Sequence, residues 1–239
     1  MVRRVLVTRP QPAAARTAER LAALGLAPLV LPLSETRSLS VDAPALPEDV
    51  AAVAVTSANA IRHAPRELIE RLARLPCLAV GGKTAQAAAN AGFADVIEGP
   101  GDADGLARTI LERGTTGPII YLCGRVRRDT FEQSLSKARV RTIPVETYDT
   151  RPLDPSPERL LEIAGGRPVD AVLLYSAEAG AAFAMLMQRA DCAGLFEKAR
   201  FCCLSERIAG TLDGRVRGKI RVASEPTEAA LLSLIDTAD

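Results

Sequence analysis

Tryptophan is absent from this 239-residue chain, aromatic residues make up only 3%, and histidine occurs once, as His63. Each shortage excludes something. Proteins that hold single strands of nucleic acid by stacking need aromatic platforms, and this chain has few. A lone His leaves no His-rich metal centre, and no His/Asp/Glu cluster has metal-ligand spacing. The net charge is +1, so no global field draws the chain to nucleic acid or to an anionic membrane. No apolar run approaches the ~20 residues of a membrane span, and no apolar signal segment is expected ahead of the first strand. Neither GxGxxG nor GxxxxGK[ST] occurs, which removes the common dinucleotide and P-loop fingerprints. The five cysteines (Cys77, Cys123, Cys192, Cys202 and Cys203) are odd in number and never spaced C-x-x-C. A disulfide framework or a zinc site is therefore not expected, and a reducing, cytoplasmic setting is.

What the chain does contain is a repeated transition. Six short apolar runs stop at small polar residues where a helical pattern begins. Residues 5–8 precede Arg9-Pro10, residues 53–56 precede Ser57-Ala58-Asn59, and residues 78–80 precede Gly81-Gly82-Lys83-Thr84. Residues 119–123 precede Gly124-Arg125, residues 172–175 precede Ser176, and residues 201–204 precede Ser205. Continuous apolar strands alternating with helices indicate parallel sheet covered on both faces. In such sheets the ligand crevice lies at the carboxyl ends of the strands. The six polar turns therefore mark where a ligand would bind.

Two strands come first, then a polar crossing over residues 34–50 that carries Pro44 and Pro47. Five strands follow, at 53–55, 78–80, 95–98, 119–123 and 139–145. A second Pro-rich crossing covers 148–157, and three strands complete the pattern at 171–174, 201–204 and 220–222. The economical solution is α/β, with two flavodoxin-like parallel-sheet domains of five strands each. The first domain is discontinuous (1–35 plus 150–239) and the second is inserted into it (38–147). A two-segment hinge would join them, with the active-site cleft between. The alternative is one continuous ten-stranded sheet.

Single motifs each have a bland reading beside a functional one. Gly81-Gly82-Lys83-Thr84 offers backbone N–H groups and a helix dipole to an anion, or is an ordinary strand-to-helix turn. The hydroxyls of Thr8, Thr56, Ser57, Ser176 and Ser205 are donors lining a cleft, or helix caps. Arg125-Val126-Arg127-Arg128 suits carboxylate or phosphate recognition, or is a solvated turn. His63 has no GxSxG partner and reads as a surface or packing residue. Tyr148, in the second crossing, and Tyr175, at a strand end, each either face the cleft or pack against its wall.

The ordered set of motifs resembles the uroporphyrinogen-III synthase family. The matching pieces are Val5-Leu6-Val7-Thr8-Arg9-Pro10, Val55-Thr56-Ser57-Ala58-Asn59-Ala60 and Ala79-Val80-Gly81-Gly82-Lys83-Thr84-Ala85. Then come Val145-Glu146-Thr147-Tyr148-Asp149-Thr150, Tyr175-Ser176-Ala177, Leu204-Ser205-Glu206-Arg207-Ile208-Ala209, and Val222-Ala223-Ser224-Glu225-Pro226-Thr227-Glu228. The resemblance spans the chain. It implies a cofactor-free lyase of haem biosynthesis that converts hydroxymethylbilane to uroporphyrinogen III, losing water and inverting ring D. Joined with the strand-end chemistry above, it leads us to expect substrate contacts from Thr8, Arg9, Thr56, Ser57, Asn59, Gly81, Lys83, Thr84, Ser176 and Ser205, and from Gly124, Arg125 and Arg128 of the arginine turn. A Tyr beside the cleft is the favoured proton donor in the family, which here points to Tyr148 ahead of Tyr175. Family members also place a Tyr ahead of Ala171, where residues 158–170 have none. The expected partners are the small-molecule substrate and, in passing, the preceding pathway enzyme, with no nucleic acid, no membrane and a monomeric state. A glycosyltransferase-like enzyme and a hinge-bending small-molecule binding protein are the alternatives from other classes.

Overall fold

The computed structural model describes residues 2–41, 47, 49–189, 192, 194–212 and 214–235. Pro44, which the sequence places in the first crossing, lies outside them. The chain divides into two compact units, one made of Met1–Thr36 with Arg151–Asp239 and the other of Arg37–Thr150.

The first unit is built on five parallel strands: β1 (Arg4–Val7), β2 (Ala27–Val30), β9 (Ala171–Leu174), β10 (Arg200–Cys203) and β11 (Ile220–Val222). Their spatial order is β11-β10-β9-β1-β2, the flavodoxin order 2-1-3-4-5 once strands are counted within the unit. Successive residues point to opposite faces. Leu6, Val172, Leu174 and Phe201 join the helices α7 (Pro157–Ala164) and α8 (Ala177–Met187) in one core. Val5, Val7, Leu173 and Cys202 meet α1 (Ala13–Ala23) and the last described helix, Glu228–Ser233, in the other. Burial on both faces is why these strands read as unbroken apolar runs.

The second unit carries a six-stranded sheet in the order β3-β8-β7-β4-β5-β6. Its strands are β3 (Ser34–Ser38), β4 (Ala52–Val55), β5 (Cys77–Ala79), β6 (Val96–Glu98), β7 (Ile119–Gly124) and β8 (Thr142–Pro152). The five parallel strands run 3-2-1-4-5, so only the first unit has the flavodoxin order, although both are doubly wound. The sixth strand, β3, is polar (Ser-Glu-Thr-Arg-Ser) and sits at the edge, where an apolar pattern is not required. After β4 the chain forms two short helices, α2 (Ala58–Arg62) and α3 (Arg66–Leu72), separated at Pro65, which cannot donate within a helix. The strand expected over 139–145 starts later and runs on to Pro152, which places Tyr148 inside β8. The two chain crossings are thus strands that pair: Leu39 N–H donates to Thr147 O (3.0 Å) and Leu153 N–H to Leu33 O (2.9 Å).

One ladder irregularity matters for the site. Cys123 pairs with Glu146 but the next residue, Gly124, pairs with Tyr148, leaving Thr147 as the extra residue of a β-bulge. Thr147 is wholly buried, and its hydroxyl donates to Ala60 O at 2.8 Å.

Among the described residues, no helix is long and apolar enough to cross a membrane. All five cysteines are buried, and none forms a disulfide. Burial pushes the thiols of Cys77, Cys123, Cys202 and Cys203 up to about 12, which keeps them protonated and removes them as nucleophiles.

Arg4 closes the first unit. It is buried, and its guanidinium donates to the carbonyls of Ala164, Arg167 (2.6 Å) and Pro168 (2.7 Å). These are the orphan acceptors at and beyond the end of α7, where Gly165 turns the chain in the left-handed region (φ 56°). Arg4→Met keeps an apolar stem of similar length but strips all three carbonyls of their donor. We expect it to lower unfolding free energy by about 2–4 kcal/mol, read from urea melts; an unchanged midpoint would remove Arg4 from this role.

Candidate active site

In doubly wound sheets the crevice opens where the strand order reverses. In the first unit that point lies between β1 and β9. Thr8 follows β1 but is wholly buried, and its hydroxyl donates to Leu173 O at 2.6 Å. Its only proton is therefore spent as a strut between neighbouring strands. Arg9 lies with its guanidinium 4.3 Å from the centroid of the Tyr175 ring, a cation–π arrangement. It also donates to Glu228 Oε1 at 3.1 Å. Glu228 accepts from Thr17 and Arg20 as well, so Arg9 is part of a braced cluster. Tyr175 ends up with a buried hydroxyl that has no well-formed hydrogen bond. Burial pushes this phenol up to about 12, against the opposing pull of Thr17 and Arg9. Ser176 caps α8, its Oγ accepting from Ala179 N–H at 3.1 Å. Ser205 occupies the equivalent place before Glu206–Ala209 without making a side-chain cap bond.

In the second unit the reversal lies between β4 and β7. Thr56, at the carboxyl end of β4, is half-buried and its hydroxyl sits 2.7 Å from that of Tyr121 on β7. Ser57 caps α2 by accepting from Asn59 N–H (3.2 Å), and the Asn59 side-chain carbonyl accepts from Arg62 (3.3 Å). Gly81 and Gly82 open α4 (Gly82–Ala91), with Gly81 extended. A Cβ at Gly82 would stand 3.0 Å from Glu98 Oε1. Lys83 is exposed on the first turn while Thr84 is buried. The first N–H groups of this helix have no intrahelical acceptor.

Gly124 ends β7, and the Tyr148 ring lies directly on it. A Cβ there would be 2.6 Å from Tyr148 Cζ and 2.9 Å from its hydroxyl oxygen. Only glycine admits this approach. The peptide of the next residue completes the contact, Arg125 N–H donating to Tyr148 O at 2.8 Å. The His63 ring is a neighbour of Tyr148, centroids 6.0 Å apart. His63 Nδ1 lies 3.0 Å from Ser38 Oγ on β3. Burial, with a smaller contribution from Arg62, lowers the His63 pKa, which favours the neutral ring.

The Arg125–Arg128 turn differs from the bare cluster of three cations that the sequence suggests. Arg127 is taken up by Glu132 (3.0 Å), Glu146 (2.9 Å) and Gly124 O (3.2 Å). Arg125 is half-exposed, shares Glu146 (3.2 Å) and lies 3.9 Å from Asp149. The hydrogen bonds from Arg127, and then Arg125, hold Glu146 below the usual carboxylate range, partly opposed by burial. Arg128 is exposed. Three groups escape the sequence reading: Tyr121, which looks like core in an apolar run, His63, and the bulge residue Thr147. The only signal for the bulge is a glycine at a strand end opposite an aromatic.

Among the described residues no group of three or more His, Cys, Asp or Glu side chains is placed to hold a metal ion.

The comparisons with known proteins agree with this picture. The family model "Uroporphyrinogen-III synthase HemD" matches residues 15–233. Among solved structures, uroporphyrinogen-III synthetase from Helicobacter pylori 26695 is 15% identical, covers 98% of both chains and gives a TM-score of 0.66. A mutant uroporphyrinogen III synthase from the extremely thermophilic bacterium Thermus thermophilus is 22% identical, covers 98% of this chain and 96% of its own, and gives 0.58. These two likenesses show the fold. No curated protein matches the chain. With the family model running through both units, this chain belongs to the uroporphyrinogen-III synthase family.

Proposed function

We infer that the protein is a uroporphyrinogen-III synthase, the lyase of haem biosynthesis classed as EC 4.2.1.75. The observation that carries this is the family match over residues 15–233. The reaction asks little of the protein in chemical terms. The pyrrole system of hydroxymethylbilane expels its own hydroxyl group. The carbon–oxygen bond breaks, a proton reaches the departing oxygen, and water and an azafulvene result. The substituted carbon of ring D attacks to give a spiro intermediate. One ring-D bond then breaks, the macrocycle recloses at the other carbon, and the proton gained by the leaving group is balanced by one lost from the ring. Positioning and one mild acid suffice.

The residues suit those two tasks. The substrate bears carboxylates on its pyrrole side chains. We assign their recognition to hydroxyls and N–H groups at the strand ends, namely Thr56, Ser57, Asn59, Ser176 and Ser205 with the first turn of α4 (Gly81, Lys83, Thr84). The exposed Arg128 and half-exposed Arg125 add charge-assisted contacts. Thr8 serves by holding β1 to β9, and Arg9 by capping the Tyr175 ring. Tyr148 is the better placed of the two tyrosines to reach a leaving group. It is half-buried inside β8, opposite the last residue of β7, whereas the Tyr175 hydroxyl is buried and its phenol raised. A general acid must reach the oxygen it protonates.

The test of the reaction is product identity. Dialysed, chelator-treated protein given enzymatically made hydroxymethylbilane should release the type III isomer after oxidation and separation. Type I alone, the product of spontaneous closure, would overturn the assignment. For the acid, Tyr148→Phe should lower kcat toward the ~10²-fold end of general acid assistance with little change in KM, and Tyr175→Phe should leave kcat near wild type. The reverse ranking would move the role to Tyr175. Gly124→Ala should reproduce most of the Tyr148→Phe loss by pushing the ring off its seat; wild-type kcat in that variant would mean that the ring position is immaterial.

A further inference from the structure

Tyr121 is 2% exposed and packs in an apolar cluster with Ala52, Ala54, Cys123 and Phe131, the last at a ring distance of 4.6 Å. Its hydroxyl has one hydrogen-bond partner among the described residues, Thr56 Oγ1 at 2.7 Å. Heavy-atom positions alone leave open which oxygen donates, and the mostly apolar surroundings favour Tyr121 as the donor. If Thr56 donated, the Tyr121 proton would be enclosed in an apolar core with no acceptor, a costly arrangement. If Tyr121 donates, its proton is satisfied by a Thr56 lone pair. The Thr56 proton, which has no acceptor among the described residues, is then turned away from the core. Burial pushes the Tyr121 phenol up to about 12, so this donor keeps its proton throughout the physiological range.

We propose that Tyr121 is a positioning residue that fixes the Thr56 hydroxyl as an outward donor for a substrate carboxylate. The proposal rests on the reading of Thr56 as a substrate-binding group. Thr56 is the half-buried residue at the carboxyl end of β4, beside the point where strand order reverses, which is where an anion would meet it. Accepting from Tyr121 also polarises the Thr56 O–H bond, because hydrogen bonds in a chain strengthen one another. A threonine alone would have a rotor free to present either a lone pair or a proton. With Tyr121 occupying one lone pair, the proton is directed away from the core beside the single lone pair that remains, and a directed proton suits a carboxylate.

The experiment is a double-mutant cycle read with hydroxymethylbilane as substrate. Tyr121→Phe should raise KM roughly threefold to tenfold, as expected for a hydrogen bond to a charged group, with kcat within about twofold, since the proton donor to the leaving group is elsewhere. Thr56→Val should raise KM by at least as much. Tyr121→Phe added to Thr56→Val should raise it no further, because the tyrosine acts only through the threonine. Thr56→Ser retains the hydroxyl and should retain its dependence on Tyr121, so that adding Tyr121→Phe to it raises KM by a similar factor. Thermal melts of each variant separate this pattern from loss of fold, which would lower active fraction and leave KM in place. If Thr56→Val raises KM and Tyr121→Phe does not, the positioning role is overturned and Thr56 remains a binding group. Equal KM effects of Tyr121→Phe with and without Thr56 overturn it as well. If neither substitution changes KM, both the proposal and the placement of Thr56 in the site fall.

Discussion

Thr147 is the residue on which the second unit's crevice depends. Its hydroxyl is buried against the carbonyl of Ala60, and its presence as an extra residue in β8 breaks the pairing with β7. Without that bulge, strict alternation would pair Gly124 with Thr147 and turn Tyr148 to the other face of the sheet. With it, Tyr148 is brought over Gly124, and the absence of a side chain at 124 lets the ring come to rest on the backbone. The bulge, the glycine and the tyrosine are therefore one device. Neither of the first two has a purpose that can be seen without the third.

A second constraint concerns protons. Cap and ligand donor look like competing uses of a hydroxyl, yet a hydroxyl has one proton and two lone pairs. Ser57 and Ser176 use lone pairs to accept from Asn59 and Ala179 N–H groups. Their protons remain available to an anion, and the cap fixes where those protons can point. Thr8 is the opposite case, since its proton goes to Leu173 O. Hydroxyl residues near the carboxyl ends of strands thus have opposite value to a ligand, and hydrogen-bond direction is what separates them.

This explains which features could be read from the amino-acid sequence. Parallel strands buried on both faces announce themselves as unbroken apolar runs, so β1, β4, β7, β9 and β10 and the polar turns after them were legible. The edge strand β3 was not, because Ser-Glu-Thr-Arg-Ser carries no apolar signal. Tyr121 was hidden for the converse reason: inside Ile-Ile-Tyr-Leu-Cys it looks like one more buried residue, and only the 2.7 Å contact shows that its polar end has a task. The arginine turn was legible as charge but not as a set of pairings, since Glu132, Glu146 and Asp149 approach it from positions that the local sequence does not advertise. Strand order was out of reach as well, because 2-1-3-4-5 and 3-2-1-4-5 can be threaded by the same alternation of strands and helices.

The embrace of the α7 terminus by Arg4 has a consequence for biosynthesis. The contact joins residues 160 apart in the chain, and β1 pairs with β9 across a similar separation. A ribosome releases residues 37–150 as an unbroken stretch, so the second unit can close while translation continues. The first cannot, because β1 and β2 emerge early and must keep their apolar faces out of trouble until β9, β10 and β11 follow. Such delayed, long-range closure is slow and exposes strands to wrong partners. Early docking of α1 onto its own two strands shortens that exposure, which gives the opening strand–helix–strand segment a protective role during synthesis as well as a structural one afterwards.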